Sequence, residues 1–196
     1  MRIAVVGHVS RKMAIEKLTS VLPCEVFLDT VGTGALANHI KALEWAVQQD
    51  ERVVIMEDDA IPVEGFIEKA EKWFTVYPEQ FVSFYLGTSR PPQYQELVTH
   101  SILNAKRLGR EAIRLNQLIH GVCYSPAPGS IEKILKGIDN RKPADFAIGS
   151  AWDGPVYYPI KSLVEHRDGR SVEKHTDGRK SSGKRVARFL DGNLMY

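Results

Sequence analysis

The sequence predicts an α/β protein built on an open, mostly parallel sheet that is flanked by helices. Short aliphatic runs at residues 3–6, 25–28 and 53–56 have the composition of strands. The stretches between them have helical periodicity, so the chain opens with a β-α-β-α-β order that is typical of parallel sheets. A chain of 196 residues with 43% hydrophobic content is long enough for one sizeable core. We therefore expect a single domain over residues 1–196.

The N-terminal elements follow in order. The first strand, at residues 3–6, ends at Gly7 and leads into a helix predicted for residues 11–21. After the second strand comes a helix at residues 35–49, whose apolar side chains recur at i, i+3, i+4 and i+7. These helices are expected to pack on the sheet.

The third strand, at residues 53–56, is apolar at every position, as expected for a central strand covered by helices on both faces. It runs directly into three carboxylates, Glu57, Asp58 and Asp59. In open α/β sheets the carboxyl ends of the strands are where ligands bind. The three acids are therefore expected at the edge of a binding cleft.

Further along, residues 66–74 are predicted to form a helix and residues 81–86 a strand. The pattern weakens from Thr88 onwards, and residues 131–137 again favour a helix. The order of elements is therefore clearer in the first half of the chain than in the second.

The overall charge of +2 gives no general preference for an acidic or basic partner. Residues 167–196, however, carry eight basic and four acidic side chains with few apolar anchors. We expect this end to be a flexible or ligand-ordered segment that lies near an anionic ligand.

Two cysteines, Cys24 and Cys123, are too few for a disulfide framework or a zinc site, which favours a reducing compartment. No signal peptide and no apolar run of membrane-spanning length is apparent. The expectation is a soluble cytoplasmic protein with no membrane partner.

Three adjacent carboxylates repel one another unless a cation or hydrogen-bond donors compensate. Oxygen ligands suit Mg²⁺ or Mn²⁺, which commonly complete their shells with water and with phosphate oxygens of a substrate. The simpler alternative is a solvated acidic turn before Pro62. The buried-type strand in front of the acids favours the metal interpretation.

The run RVVIMEDDAIP resembles the Asp-x-Asp element of nucleotide-sugar glycosyltransferases of the GT-A fold, in a Glu-Asp-Asp form. More narrowly, the chain resembles small phage and bacterial glycosyltransferases related to the lipooligosaccharide and collagen galactosyltransferase family. The stretches that carry this resemblance are DTVGTGALANHIKALEWA, SFYLG, HGVCYSP, PADFAIGSAW and SLVEHRDGRS. The resemblance implies a GT-A domain that moves a sugar from a nucleoside-diphosphate sugar to a hydroxyl acceptor, such as hydroxylated bases in phage DNA, with Mn²⁺ or Mg²⁺.

For the metal site, the resemblance implies that Asp59 binds the ion directly. Glu57 and Asp58 would then contact the ribose, the sugar or metal-bound water. A late histidine of the family matches His166, with His175 as a competitor for the same role. A surface or capping histidine is the alternative for His166.

For the donor, Asp29 ends the second strand, and Gly32 and Gly34 would let the backbone approach the base and ribose. Asn38 and His39, at the start of the next helix, resemble the family's polar pair at that point, and Arg11 follows the first strand within reach of a nucleotide. The alternatives are ordinary turn glycines and a surface arginine.

The diphosphate itself is assigned to Arg167 and Arg170, with Lys174 beside them, because a guanidinium offers two parallel donors to phosphate. A solvated basic tail is the alternative.

An inverting transfer also needs a carboxylate that accepts the proton of the acceptor hydroxyl. Asp145 is the first candidate and Asp153 the second. The simpler explanations are a helix-capping aspartate at 145 and a turn aspartate at 153.

Two other function classes remain open. A metal-dependent nucleotidyltransferase also uses clustered carboxylates, but a Gly-rich activating loop with a lysine is missing after the first strand, where only GHVSRK stands. A nucleic-acid-binding module is favoured by the basic C-terminal end and disfavoured by the acidic sheet edge.

Overall fold

The computed structural model describes residues 1–167 and 183–196, which form nine strands and six α-helices. The strands are β1 (Arg2–His8), β2 (Glu25–Asp29), β3 (Val53–Glu57), β4 (Ala60–Pro62), β5 (Phe81–Ser83), β6 (Ala112–Leu115), β7 (Cys123–Ser125), β8 (Val156–Pro159) and β9 (Val164–His166). The helices are α1 (Lys12–Val21), α2 (Ala35–Val47), α3 (Phe66–Val76), α4 (Gln95–Arg107), α5 (Ile131–Gly137) and α6 (Ala144–Trp152).

A seven-stranded sheet in the order β2-β1-β3-β7-β5-β8-β6 forms the centre of the molecule. Strands β1, β2, β3, β5 and β8 share one direction, whereas β6 and β7 run against their neighbours. The α/β class and the mostly parallel strand direction predicted from the sequence are confirmed. The two reversed strands were not predicted, because their short runs carry no sign of direction.

The register of the first three strands brings their carboxyl ends together. Val6 of β1 lies opposite both Phe27 of β2 and Glu57 of β3, and His8 lies opposite Asp29. Since parallel strands end at the same edge of a sheet, the acids after β3 lie beside the loop that follows β1.

The core covers both faces of this sheet. Val53 and Ile55 pack with residues of α2, α4 and α6, while Val54 and Met56 pack with residues of α1 and α3. All four side chains are buried, which confirms the prediction of a strand that is apolar on both faces.

A small antiparallel ribbon joins β4 to β9 directly after the acidic triplet. Ala60 lies opposite His166, and the backbone N–H of Arg167 donates to the carbonyl of Asp59 at 2.8 Å. The ribbon therefore places His166, which comes more than 100 residues later in the chain, next to the end of β3.

Residues 184–196, called here the C-terminal segment, pack along the same edge of the sheet. Their backbone bonds to Thr88, Leu86, Ser162 and Pro62 in turn, at 2.8–3.0 Å. The expectation of a flexible or ligand-ordered end stays a prediction, and residues 168–182 lie outside the described residues.

The predicted element bounds need small changes. The first helix begins at Lys12 because Val9–Arg11 forms a 3-10 turn, and the predicted strand 81–86 is regular only over Phe81–Ser83. The helix predicted at residues 131–137 has those bounds. Across the described parts of the chain, no helix has the length and apolarity needed to cross a membrane.

Candidate functional site

A cleft of about 320 Å³ opens at the carboxyl ends of β1, β2 and β3. Many of the residues predicted for the site line it: Arg11, Asp29, Gly32, Gly34, Asn38, Glu57, Asp58, Asp59 and His166. Tertiary structure therefore gathers into one cavity residues that are up to 155 positions apart in the chain.

Asp58 ties the end of β3 to the loop after β1. One carboxylate oxygen accepts the backbone N–H of His8 at 2.8 Å, and the other accepts from Nη1 of Arg11 at 2.8 Å. Burial raises the pKa of Asp58 above its ordinary value, although both donors act against that rise. Asp58 serves the architecture of the site, since both of its oxygens are already engaged by the protein.

Asp59 contacts both Arg11, which is positively charged, and His166, which can become so. Its Oδ2 accepts from Nη1 of Arg11 at 2.5 Å and lies 3.4 Å from Nε2 of His166. Burial alone would raise the pKa of Asp59, but His166 and Arg11 together hold it below its ordinary value. For His166, burial lowers the pKa and the nearby Asp59 carboxylate raises it by more, so the net shift is upward.

Two buried atoms of this pair have no hydrogen-bond partner among residues 1–167 and 183–196: Oδ1 of Asp59 and Nδ1 of His166. Buried polar atoms in folded proteins are nearly always satisfied. Both atoms are therefore open to a further hydrogen-bonding or coordinating group.

Glu57 is held from behind by a buried chain of polar side chains. Nε2 of His39 lies 3.3 Å from Oε1 of Glu57, and Nδ1 of His39 lies 3.0 Å from the hydroxyl of Tyr124. His39 and Tyr124 are both fully buried. Because a carboxylate only accepts, Nε2 of His39 carries the proton that faces Glu57.

The linked side chains of Glu57, His39 and Tyr124 are closely packed by their neighbours. A Cβ placed on Gly121 would lie 2.7 Å from Oε1 of Glu57, so any larger residue there would require the carboxylate to move. Burial raises the pKa of Tyr124 well above its ordinary value, with Glu57 acting in the same direction, and the hydroxyl stays protonated. The carboxylate of Glu57 is thus given a fixed place at the cleft.

Asp29 shapes the loop that follows β2. Its carboxylate accepts backbone N–H groups from Val31, Gly32, Thr33 and Gly34, at 2.9–3.2 Å. The bonds from Thr33 and Gly34 are the main cause of a pKa well below the ordinary value. Gly32 and Gly34 have φ of +77° and +97°, which glycine adopts without strain. Asp29 therefore acts on the cleft through this loop.

Asn38 clamps the ends of β1 and β2 together. Its amide nitrogen donates to the carbonyls of Gly7 at 3.1 Å and Phe27 at 2.7 Å. Asn38 also lines the cleft, and its contact with the donor stays a prediction.

The basic residues predicted to hold a diphosphate are only partly placed. The backbone of Arg167 is fixed beside Asp59, and its guanidinium lies 5.9 Å from the ring centre of Tyr196. Arg167 is not among the residues that line the cleft, whereas Arg185 is. Arg170, Lys174 and His175 lie outside the described residues.

The two candidate bases, Asp145 and Asp153, lie at opposite ends of α6, and neither lines the cleft. Asp153 follows α6 and precedes β8, which shares its direction with β3, so Asp153 lies at the opposite edge of the sheet from the acids. Asp153 does not line the cleft, and its φ of +52° marks it as the residue that ends the helix. Asp145, in the first turn of α6, lies near Tyr124 but does not line the cleft.

Sequence reasoning gave no individual role to two residues of the site. Tyr124 and Arg185 carry no local signal, since one lies in a short apolar run and the other in a basic one. The family resemblance pairs His39 with Asn38, and the structure places His39 on the buried face of α2, where an ionisable side chain needs a partner.

Within residues 1–167 and 183–196, no three or more histidine, cysteine, aspartate or glutamate side chains converge as a ready-made ion site. Among the described residues, Asp59 and His166 are the pair that could contribute to an ion site. Mg²⁺ and Mn²⁺ commonly complete such a site with water and with phosphate oxygens.

No protein-family model and no curated protein sequence matches this chain. In fold, the chain is similar to A197 from STIV, whose crystal structure matches it with a TM-score of 0.52. The match covers 91% of this chain and 100% of that one, at 11% sequence identity. At that identity, the likeness concerns the arrangement of helices and strands alone.

Proposed function

We propose that this protein is a metal-dependent glycosyltransferase of the GT-A type, which moves a sugar from a nucleoside-diphosphate sugar to a hydroxyl acceptor. The observation that carries the proposal is the pairing of Asp59 and His166 at the carboxyl edge of the sheet, beside a cleft of about 320 Å³. Ligand pockets for small molecules begin at about this size. The Glu-Asp-Asp run and the late histidine are the two features that the family resemblance singles out.

The residues present suit Mn²⁺ or Mg²⁺. Oδ2 of Asp59 and Nε2 of His166 are 3.4 Å apart, and two neighbouring ligands of one octahedral ion stand ~3 Å apart. The unsatisfied Oδ1 of Asp59 adds a further buried acceptor. When bound, the ion supplies charge neutralisation to the departing diphosphate.

Other residues that line the cleft could contact the diphosphate, nucleoside and sugar of the donor. Arg11 and Arg185 both line the cleft and supply positive charge for a diphosphate. The loop held by Asp29 offers close backbone approach for the base and ribose, and Glu57 faces the cleft for a sugar hydroxyl. His39 and Tyr124 fix the direction in which Glu57 presents its carboxylate.

Fewer observations bear on the acceptor and on the base that would activate it. Asp145, in the first turn of α6 near Tyr124, remains our candidate for taking the proton of the acceptor hydroxyl. The exposed Lys184 and the cleft residue Arg185 favour a polyanionic acceptor, such as DNA with hydroxylated bases.

The nucleotidyltransferase alternative requires a lysine that reaches the phosphates. Lys12, the lysine that follows β1, is 79% exposed and lies 3.8 Å from Glu16 on the surface of α1. It does not line the cleft. This arrangement favours glycosyl transfer over nucleotidyl transfer.

The test is a panel of sugar nucleotides, each with Mn²⁺, followed by thermal shift and by donor hydrolysis. A true donor at 100 times its Kd should stabilise the fold by about 2.7 kcal/mol. EDTA should remove both the stabilisation and the hydrolysis, because the ion and the diphosphate share one set of ligands. Donor affinity that is unchanged without metal would contradict a metal-dependent enzyme.

A further inference from the structure

We propose that the cleft takes a divalent cation and a diphosphate only as a pair, because Arg11 occupies the cation's place until a diphosphate draws it away. The inference rests on the proposed function in one respect: the diphosphate is that of the donor. It concerns how the site is loaded, and it can be tested without knowing the sugar, the nucleotide or the acceptor.

Arg11 already does the electrostatic work of a cation in this site. One nitrogen, Nη1, bonds to Asp58 at 2.8 Å and to Asp59 at 2.5 Å. The side chains of the two aspartates are 5% and 10% exposed, and that of Arg11 is 21% exposed. The guanidinium therefore neutralises a nearly dry pair of carboxylates, much as a metal ion would.

A divalent ion that enters alone meets this arginine. To be held by both Asp59 and His166, it would need Oδ2 of Asp59, which lies 3.4 Å from Nε2 of His166 and already accepts from Arg11. Arginine does not lose its proton in proteins, so the guanidinium cannot step aside as a neutral group. Ion and guanidinium would then repel each other across a buried carboxylate, which makes binding of the ion alone weak.

A diphosphate removes this obstacle. It gives Arg11 a new anionic partner with the geometry that a guanidinium recognises by two parallel hydrogen bonds. The carboxylate released by Arg11 becomes available to the ion, and the ion in turn bonds to the phosphate oxygens. Each ligand thus improves the site for the other, and the coupling must be equal in both directions.

The backbone at Arg11 is suited to such an exchange. The residue ends the 3-10 turn Val9–Arg11, in which no side chain is buried, and it precedes α1. The guanidinium can change partners without disturbing the core.

Titration calorimetry with Mn²⁺ and inorganic pyrophosphate tests the proposal on the whole chain. For the wild type we expect weak binding of Mn²⁺ alone and an affinity at least tenfold higher in saturating pyrophosphate. In Arg11→Gln, Mn²⁺ alone should bind about tenfold more tightly than in the wild type, and pyrophosphate should no longer strengthen it. Lys12→Gln is the matched control: it removes the same charge from the next residue, which faces Glu16 on the surface, and should behave as the wild type.

The outcomes separate the two claims. Mn²⁺ that binds the wild type as tightly alone as with pyrophosphate overturns the coupling but keeps the metal site. Arg11→Gln that binds Mn²⁺ no better than the wild type also overturns it. Failure of Mn²⁺ to bind any variant under any condition overturns both the coupling and the metal-dependent function.

A second variant covers the case in which Arg11→Gln does not fold. Arg11→Lys keeps the charge but replaces the two-pronged group by a single ammonium. Its affinity for Mn²⁺ alone should stay within about threefold of the wild type, while the coupling to pyrophosphate falls. A coupling equal to that of the wild type would show that the guanidinium has no special role and would overturn the proposal.

Discussion

Two arginines at opposite ends of β3 show how the same side chain serves structure in one region and a binding site in another. Arg52, just before the strand, donates to the hydroxyl of Ser125 and to the carbonyls of Tyr77, Pro78 and Gln80. Its guanidinium also lies 4.2 Å from the ring centre of Phe74. Burial lowers the pKa of Arg52 to about 10.

Arg11, beyond the other end of the strand, has charged partners instead. Asp58 and Asp59 accept from it at 2.8 and 2.5 Å, and the second oxygen of Asp59 is buried with no partner in the part of the chain that the structure describes. At Arg52 the acceptors are neutral groups of the fold itself, with nothing to exchange. At Arg11 the acceptors are carboxylates that another cation could take, so the charge chemistry at this end of the strand is suited to ligand exchange.

The largest effect is expected for Asp59→Asn at the Arg11 end. Transfer should fall by about 10³-fold, because a metal site contributes several kcal/mol to a reaction of this kind. The fold should survive, since Arg11 keeps its bond to Asp58. Turnover at saturating Mn²⁺, together with a melting curve, measures both. A variant with turnover within a few-fold of the wild type would remove Asp59 from the metal site.

Substitution of Arg52 should lower the stability of the fold and leave ligand binding unchanged. Arg52→Met should lower the free energy of unfolding by about 1–3 kcal/mol, because a hydroxyl and two partly buried carbonyls lose their donor. Mn²⁺ and pyrophosphate binding should be unchanged in the folded variant. Denaturant unfolding provides the measurement.

Arg2→Met is the control for that experiment. Arg2 is 61% exposed and pairs with Glu51 at the surface, so its loss should cost under about 0.5 kcal/mol. An equal cost at the two positions would mean that the bonds of Arg52 do not stabilise the fold.

A smaller effect should separate catalytic positioning from stability within the core. Tyr124→Phe removes the hydroxyl that fixes His39, and we expect kcat to fall about fivefold with little change in donor KM. Tyr158→Phe is the matched control. Tyr158 is also fully buried, and its hydroxyl bonds to the backbone of Gln117 and Ile119 away from the cleft.

Both tyrosine variants should lose about 1 kcal/mol of stability. Only Tyr124→Phe should lose turnover when rates are corrected for the folded fraction. Equal turnover in the two variants would reduce the Glu57–His39–Tyr124 chain to a structural feature.

The smallest effect is expected for Arg185→Gln on the C-terminal segment. An exposed or half-buried charge near a diphosphate contributes up to about 1 kcal/mol, so donor KM should rise about two- to fivefold and the rise should shrink at high salt. Arg107→Gln, at the exposed end of α4, serves as the control. A salt-independent change in KM would mean that Arg185 acts through packing and not through its charge.

Local sequence was enough to predict the first half of the fold. The aliphatic run before Glu57, the periodicity of α2 and the turn glycines at 32 and 34 each act over a few neighbouring residues, where hydrophobic pattern and backbone preference are decisive. For the same reason, the amino-acid order by itself places the acids after β3 at the ligand-binding edge of a parallel sheet.

Tertiary structure alone decided how those residues are used. Asp59 lies beside His166 because the ribbon of β4 and β9 joins distant parts of the chain. Asp153 lies away from the acids because it precedes β8, which runs in the same direction as β3. Neither strand pairing nor strand direction is encoded in a short window of sequence, since both depend on which surfaces remain to be buried once the other elements have packed. The sequence thus determined which groups are available for chemistry, whereas the long-range pairing of strands determined which of them face one another.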